Sequence, residues 1–315
     1  MSRGDFLGLV ARMAGACAAG GLLGPAAVAL GAGAEADPAR VLRRPIPSSG
    51  QMLPVIGVGT AVVYDIDASD AKFPLLVDTL RAFLAQGGAV IDTAPSYGRA
   101  EKCLGEIFRR MGGRERAFLA TKIGTVGEQA GVDSFAASLR NLGTDRIDLL
   151  QVHNVRDTAV QLRTIRRLQD EGRVRYAGIT TSFRGSYAEY ESIMRREQLD
   201  FIQIDYALDN REAEERILPL ARERGMAVLI NLPFGRGRLF AKARGRPLPQ
   251  WAAEIDCASW AQFFLKFVLA NPAVTVVIPG TDRPEYALDN LNAARGRIPD
   301  ARMREQMLHY WDQLG

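Results

Sequence analysis

The sequence predicts a (β/α)8 barrel, preceded by a short hairpin and completed by C-terminal helices. Three observations carry that prediction. Short apolar runs recur along the chain with amphipathic helical segments between them, an alternation that calls for a parallel sheet. There are eight such units, which favours closure into a barrel over an open sheet. The glycine fingerprint that a doubly wound dinucleotide-binding sheet needs is missing: Gly57-Val58-Gly59 has no third glycine and no helix directly behind it.

Residues 46–53 read as a hairpin because Ser48-Ser49-Gly50 turns the chain. Residues 55–60 form the first core strand. A helix over 75–86 follows, its apolar face set by Leu75, Leu76, Leu80, Phe83 and Leu84, and Gly87-Gly88 stops it. Strand 89–93, helix 100–111 and strand 117–122 come next. Helix 134–142 ends at Gly143 before strand 147–153, and helix 159–171 ends at Gly172 before strand 174–180. Helix 188–196 and strand 201–205 follow, then helix 211–224, Gly225 and strand 227–232. Helix 259–270 stops at Asn271-Pro272 ahead of the last strand, 274–279. Helices near 284–294 and 300–313 finish the chain.

Composition narrows the function classes. The chain has 315 residues, 47% hydrophobic and 24% charged, which suits a globular protein with a large core. Its net charge of +4 comes from scattered arginines with no aromatic-interleaved stripe, which argues against nucleic-acid binding. Cys17, Cys103 and Cys257 form no CxxC pair and no metal-ligand spacing, so no metal site is expected. Residues 1–36 read as an export leader: Arg3 and Arg12, an Ala/Gly/Leu-rich stretch, then Ala34-Glu35-Ala36 as a small-residue exit. The run Ser2-Arg3-Gly4-Asp5-Phe6-Leu7 resembles a twin-arginine leader with Gly4 in the place of the second arginine. A periplasmic or exported protein is expected if the leader works, and a cytoplasmic one otherwise. About seven glycines in the leader disfavour a stable membrane span. Residues 37–45 are a linker and 46–315 the barrel, expected as a monomer.

Four ionisable residues end strands or follow them closely. Lys122, one of only five lysines, closes the apolar run Ala117-Phe118-Leu119-Ala120-Thr121, where an unpaired charge would be costly. His153 ends residues 147–153, Asp92 ends residues 89–92, and Tyr97 follows five residues later. In a parallel barrel these strand ends converge on one face. A tyrosine there can give a proton to a carbonyl oxygen as hydride reaches the carbon. Its free pKa is near 10, so a neighbouring ammonium is needed to lower it. Asp92 would keep Lys122 charged, and His153 would orient the carbonyl or relay the proton.

The run Ile91-Asp92-Thr93-Ala94-Pro95-Ser96-Tyr97-Gly98, with Glu101 and Leu104-Gly105 after it, resembles the signature of the aldo/keto reductases. Thr121-Lys122, Leu150-Gln151-Val152-His153-Asn154 and Ile278-Pro279-Gly280-Thr281 with Asn290 resemble its later blocks, in order, from about residue 46 to the end. The resemblance implies a barrel that binds NAD(P)H without a Rossmann domain and reduces carbonyls, with Tyr97 as acid and Asp92, Lys122 and His153 as its partners. It further implies nicotinamide contacts from Asn154, Gln203 and the pair Thr180-Thr181, which stands where the family has Ser-Asn. Asn231 occupies the place of a stacking aromatic. The loop Phe234-Gly235-Arg236-Gly237-Arg238 suits a pyrophosphate, having glycines for close approach and arginines for charge. Gly280, Thr281, Asp282, Tyr286 and Asn290 would bind the adenosine end. Family habit favours NADP(H), while Asp282, which stands where a 2′-phosphate usually meets a basic residue, favours NAD(H).

The expected substrate is a small aldehyde or ketone. A partner subunit of the same fold that binds cofactor with little turnover is the alternative, and a Schiff-base enzyme using Lys122 is a third reading. Specificity is expected in loops 64–73, 124–131 and 239–256.

Overall fold

The structure, a computed structural model, describes residues 40–314, so the leader read over 1–36 lies outside the described residues. Strands β1 (Arg43–Pro45) and β2 (Met52–Pro54) pair antiparallel, with Arg44 opposite Leu53. The hairpin thus begins inside the segment read as linker. Eight parallel strands follow: β3 (Val58–Gly59), β4 (Val90–Asp92), β5 (Phe118–Ile123), β6 (Ile147–His153), β7 (Val174–Thr180), β8 (Phe201–Asp205), β9 (Ala227–Asn231) and β10 (Val276–Val277). They are ordered as in the chain, and bridges from Ile56 to Val277 and from Gly59 to Gly280 close the last strand onto the first. The predicted barrel is therefore observed.

The helices are α1 (Phe73–Ala85), α2 (Ala100–Met111), α3 (Glu128–Leu142), α4 (Thr158–Asp170), α5 (Tyr187–Arg196), α6 (Ile217–Glu223), α7 (Arg238–Ala243), α8 (Trp260–Leu269), α9 (Pro284–Asn292) and α10 (Ala301–Gln313). Ser259 and Asp300 cap α8 and α10 by accepting from the backbone N–H groups of Gln262 and Met303.

Three expectations need correction. Helix α3 starts at Glu128, six residues before the predicted 134, because Gly131 is a helix contact and not a breaker. A Cβ there would meet Gln161 Oε1 of α4 at 2.1 Å. Residues 211–224 split into a 3-10 turn, Glu212–Glu214, and α6, since Pro219 has no N–H and fits only the first turn of a helix. Residues 239–256 carry α7 and the 3-10 segment Gln250–Ile255.

Two apolar layers result. The larger lies between strands and helices. The smaller fills the barrel interior with Val90, Phe118, Ala120, Leu149, Tyr176, Phe201 and Leu229, and Ile46 and Leu53 of the hairpin plug its lower end. The Tyr176 hydroxyl pins that plug through Ser49 Oγ (2.8 Å) and Gln51 Oε1 (2.9 Å). Continuing each strand at its period of two raises the next inward positions to the upper end. They are Asp92, Lys122, Gln151, Thr180, Gln203 and Asn231. The barrel interior is apolar below and polar above, and the polar end carries the site.

Candidate active site

Asp92 and Lys122 end or nearly end adjacent strands, with Asp92 opposite Ala120 in the β4–β5 register. The Lys122 ammonium donates to Asp92 Oδ1 at 2.8 Å, Oδ2 at 2.7 Å and the Thr93 carbonyl at 2.8 Å. Its three N–H donors are thereby used, while the side chains are only 1% and 3% exposed. Burial acts to strip the proton from Lys122, but Asp92 and Tyr97 outweigh it, and the ammonium is held above its ordinary range. The expectation that Asp92 keeps Lys122 charged matches this geometry.

Tyr97 lies in the turn between β4 and α2, its ring centroid 5.0 Å from Lys122 Nζ. Its ring meets that of His153 edge to face, 6.0 Å between centroids at 83°. Burial raises the Tyr97 phenol above its ordinary pKa, and Lys122 pulls it partly back. A net lowering is expected from the sequence; burial wins instead, and the phenol keeps its proton throughout the physiological range. His153 is pushed down to about 4, first by burial and then by the Lys122 charge, so its imidazole is neutral near pH 7. A neutral imidazole has one N–H, and Ser96 Oγ, 3.4 Å from Nδ1, is the side chain placed to select the tautomer.

These groups open onto a cavity of about 440 Å3. Asp92, Tyr97, His153, Asn154, Thr180, Gln203 and Asn231 line one part of it, and Phe234, Arg236, Gly237 and Gly280 another. Lys122 lies directly behind Asp92. Thr181 does not reach the cavity: it is fully buried, and its hydroxyl accepts from the Phe183 N–H at 3.2 Å. Ser182 lines the wall in its place. Gly235 and Arg238 face an adjoining polar recess, where Arg238 is held by Asp209 at 3.0 Å. Thr281, Asp282, Tyr286 and Asn290 lie beyond the cavity, at the end of β10 and on α9. The Asn290 amide donates to Thr281 Oγ1 at 3.1 Å, which braces that turn.

Sequence reasoning missed Ala61, Val62 and Phe183 as walls. Val62 and Phe183 are exposed apolar residues, and Val62 holds a left-handed backbone, φ 74°. An exposed aromatic just past a strand end was the available signal for Phe183. None of the three predicted specificity loops supplies a wall. Tyr64 turns into the core, residues 128–131 are helical, and Trp251 packs against Phe263 and Tyr310.

The walls fit a nicotinamide group. Gln203 Oε1 and Asn231 Oδ1 are buried acceptors without a hydrogen-bond partner in the protein, which is costly unless something donates to them. A carboxamide N–H2 is such a donor. Gly237 and Gly280 present bare backbone, with nothing within 4 Å of a Cβ at the first and only Gly59 O, at 3.9 Å, near the second. An aromatic is missing at the end of β9, but Phe234 three residues on lines the cavity and packs against Phe240 at 4.8 Å.

The sequence model of the Aldo/keto reductase family matches residues 55–307, which include every element of this site. The chain belongs to that family. It is 30% identical over 232 residues to the methylglyoxal reductase YeaE of Escherichia coli, covering 71% of this chain and 80% of that one. It is 27% identical over 300 residues to the NADH-specific methylglyoxal reductase of the same organism, covering 78% and 89%. The fold is similar to that of an aldo-keto reductase from Klebsiella pneumoniae in complex with NADPH. There the TM-score is 0.69 at 23% identity, covering 83% of this chain and 92% of the other.

Proposed function

We propose that this protein reduces a small aldehyde or ketone to an alcohol with NAD(P)H, NADP(H) being the preferred form, and that Tyr97 is the proton donor. The single observation that carries the reading is a neutral phenol beside a buried, fully paired ammonium at the mouth of one cavity. The names of the relatives support it, two being methylglyoxal reductases and one of those NADH-specific.

When bound, a reduced nicotinamide would supply the hydride for the carbonyl carbon. Gln203 and Asn231 would hold its carboxamide by accepting from the N–H2 group, with Thr180, Ser182 and Asn154 completing that wall. Tyr97 donates its O–H to the carbonyl oxygen and passes its proton there as the charge develops. The Lys122 ammonium stabilises the phenolate left behind, and Asp92 keeps that ammonium in place. Neutral His153 donates one N–H toward the carbonyl and so orients it; at a pKa of about 4 it is too weak a base to relay the proton near pH 7.

Loss of NADPH absorbance with methylglyoxal or another small carbonyl tests the reading. Stoichiometric alcohol formation is the expected result. Tight NADPH binding with no turnover on a panel of aldehydes and ketones would return the protein to a cofactor-binding partner subunit.

A further inference from the structure

A second cavity, of about 650 Å3, lies between α2, α3 and the loop after β3, and shares no wall residue with the cavity that holds Tyr97. Its size is that of a small-molecule site. At Gly105 the two helices touch so closely that a Cβ would meet the Asn141 carbonyl at 2.0 Å. The cleft opens around that contact. Lys102 stands one turn before it and Arg109 one turn after it on α2, and Arg140 lines it from α3.

The charge of this cleft is unbalanced. Four basic side chains line it, Lys102, Arg109, Arg114 and Arg140, against two acids, Asp67 and Glu106. Both acids are occupied. Asp67 accepts from Arg99 at 2.6 Å, and Glu106 accepts from Arg109 at 2.6 and 2.9 Å and from Arg110 at 3.0 Å. Arg114 donates to the carbonyls of Ala117 and Arg146 at 3.0 and 3.3 Å, and its buried Nε–H has no acceptor. Lys102 and Arg140 make no ion pair and no hydrogen bond among the described residues. The end of α3 does not supply the missing acceptors: the Leu139 and Arg140 carbonyls accept from the Thr144 and Gly143 N–H groups, and that of Asn141 faces Gly105. A cleft lined by one sign of charge concentrates ions of the other.

We propose that this cleft binds a phosphate-bearing small molecule, held by Lys102 and Arg140, and that the ligand steadies the loop shared with the Tyr97 cavity. A phosphate brings up to two charges and three acceptor oxygens, enough to engage an ammonium and a guanidinium together. Ile66, Phe108 and Leu142 give the same cleft an apolar part that receives the rest of the molecule. The loop is the link between the two cavities. Its residues 66–69 wall the cleft, and Ala61 and Val62 wall the cavity of Tyr97.

The test titrates glucose 6-phosphate into the NADPH-saturated full chain by calorimetry, so that the cofactor's own phosphate contacts are already filled. Glucose serves as the control without phosphate. Glucose 6-phosphate should bind and glucose should not. Lys102→Ala and Arg140→Ala should each raise the glucose 6-phosphate Kd about tenfold, the loss of one charge-assisted contact. Neither side chain has a partner in the protein, so melting temperature and NADPH Kd should stay unchanged in both variants. Amide hydrogen exchange over residues 61–66 should slow in the complex. Glucose 6-phosphate that fails to bind at millimolar concentration, or binds both variants as tightly as the wild type, would overturn the proposal. Exchange over residues 61–66 that is the same with and without the ligand would also overturn it. An Arg140→Ala variant that melts lower without ligand and keeps its Kd would overturn it in favour of a structural role at the end of α3.

Discussion

Replacing Asp92 with Asn keeps the shape of the side chain and removes its charge, leaving the Lys122 ammonium buried without a counter-ion. Two of its three hydrogen bonds, at 2.7 and 2.8 Å, go to Asp92. Breaking a buried pair on one side costs about 3–5 kcal/mol. For a domain of this size that is a melting temperature lower by roughly 10 °C. The sign of the pH dependence should also change. In the wild type the Lys122 pKa is raised, so its contribution is fully present below its ordinary value of 10.5 and is lost as pH rises through the folded value. In the variant burial is unopposed by Asp92 and depresses Lys122. The folded state then binds fewer protons than the unfolded one, and stability falls as pH falls through the neutral range. Thermal melts followed by circular dichroism from pH 6 to above pH 11 read both effects: the wild type is flat with respect to Lys122 up to about pH 10.5 and falls beyond it, whereas the variant slopes below it. A variant melting within about 2 °C of the wild type near pH 7, or with the same pH slope, would refute the argument that this pair is buried and coupled.

Four further outcomes follow from the same structure. The rate of reduction should stay flat from about pH 6 to pH 9, because His153 titrates near 4 and the Tyr97 phenol above its ordinary value, and should fall at higher pH as the phenol ionises. The depressed His153 also means that stability declines as pH drops below its ordinary 6.5 toward 4, which acid melts would show. Gly98→Ala should destabilise the protein and raise the KM for substrate: at φ 62° a Cβ would meet the Asp65 carboxylate at 2.3 Å and unseat the contacts from Asp65 to Arg99 that tether the loop after β3. Gln203→Leu removes a buried acceptor with no partner, so apo stability should not fall, while NADPH Kd, measured by fluorescence titration, should rise about tenfold.

The clustering of Asp92, Lys122 and His153 was legible in the sequence because it rests on local pattern. Asp92, Lys122 and His153 each end an apolar run with the wrong chemistry for a core, and a parallel barrel brings such ends together whatever the loops do. The cofactor half was less legible because it depends on where loops fold. Thr181 follows Thr180 directly, yet the period of the strand turns it away from the cavity and into a turn with Phe183. Gly131 resembles a loop residue because local propensity cannot register its contact with Gln161 on the next helix. The Tyr97 pKa shifts against the expected sign for a related reason. The sequence places an ammonium beside the phenol but gives no measure of how deeply both are buried, and burial is the larger influence.

The most direct measurement is single-turnover reduction of methylglyoxal by Tyr97→Phe saturated with NADPH. This substitution preserves the ring against His153 and Lys122 and removes only the hydroxyl with its proton. With Tyr97 as the proton donor, NADPH affinity should stay within about twofold of the wild type and the hydride-transfer rate should fall by about 10^3, within the range for loss of a general acid. A variant that keeps a tenth or more of the wild-type rate would contradict it.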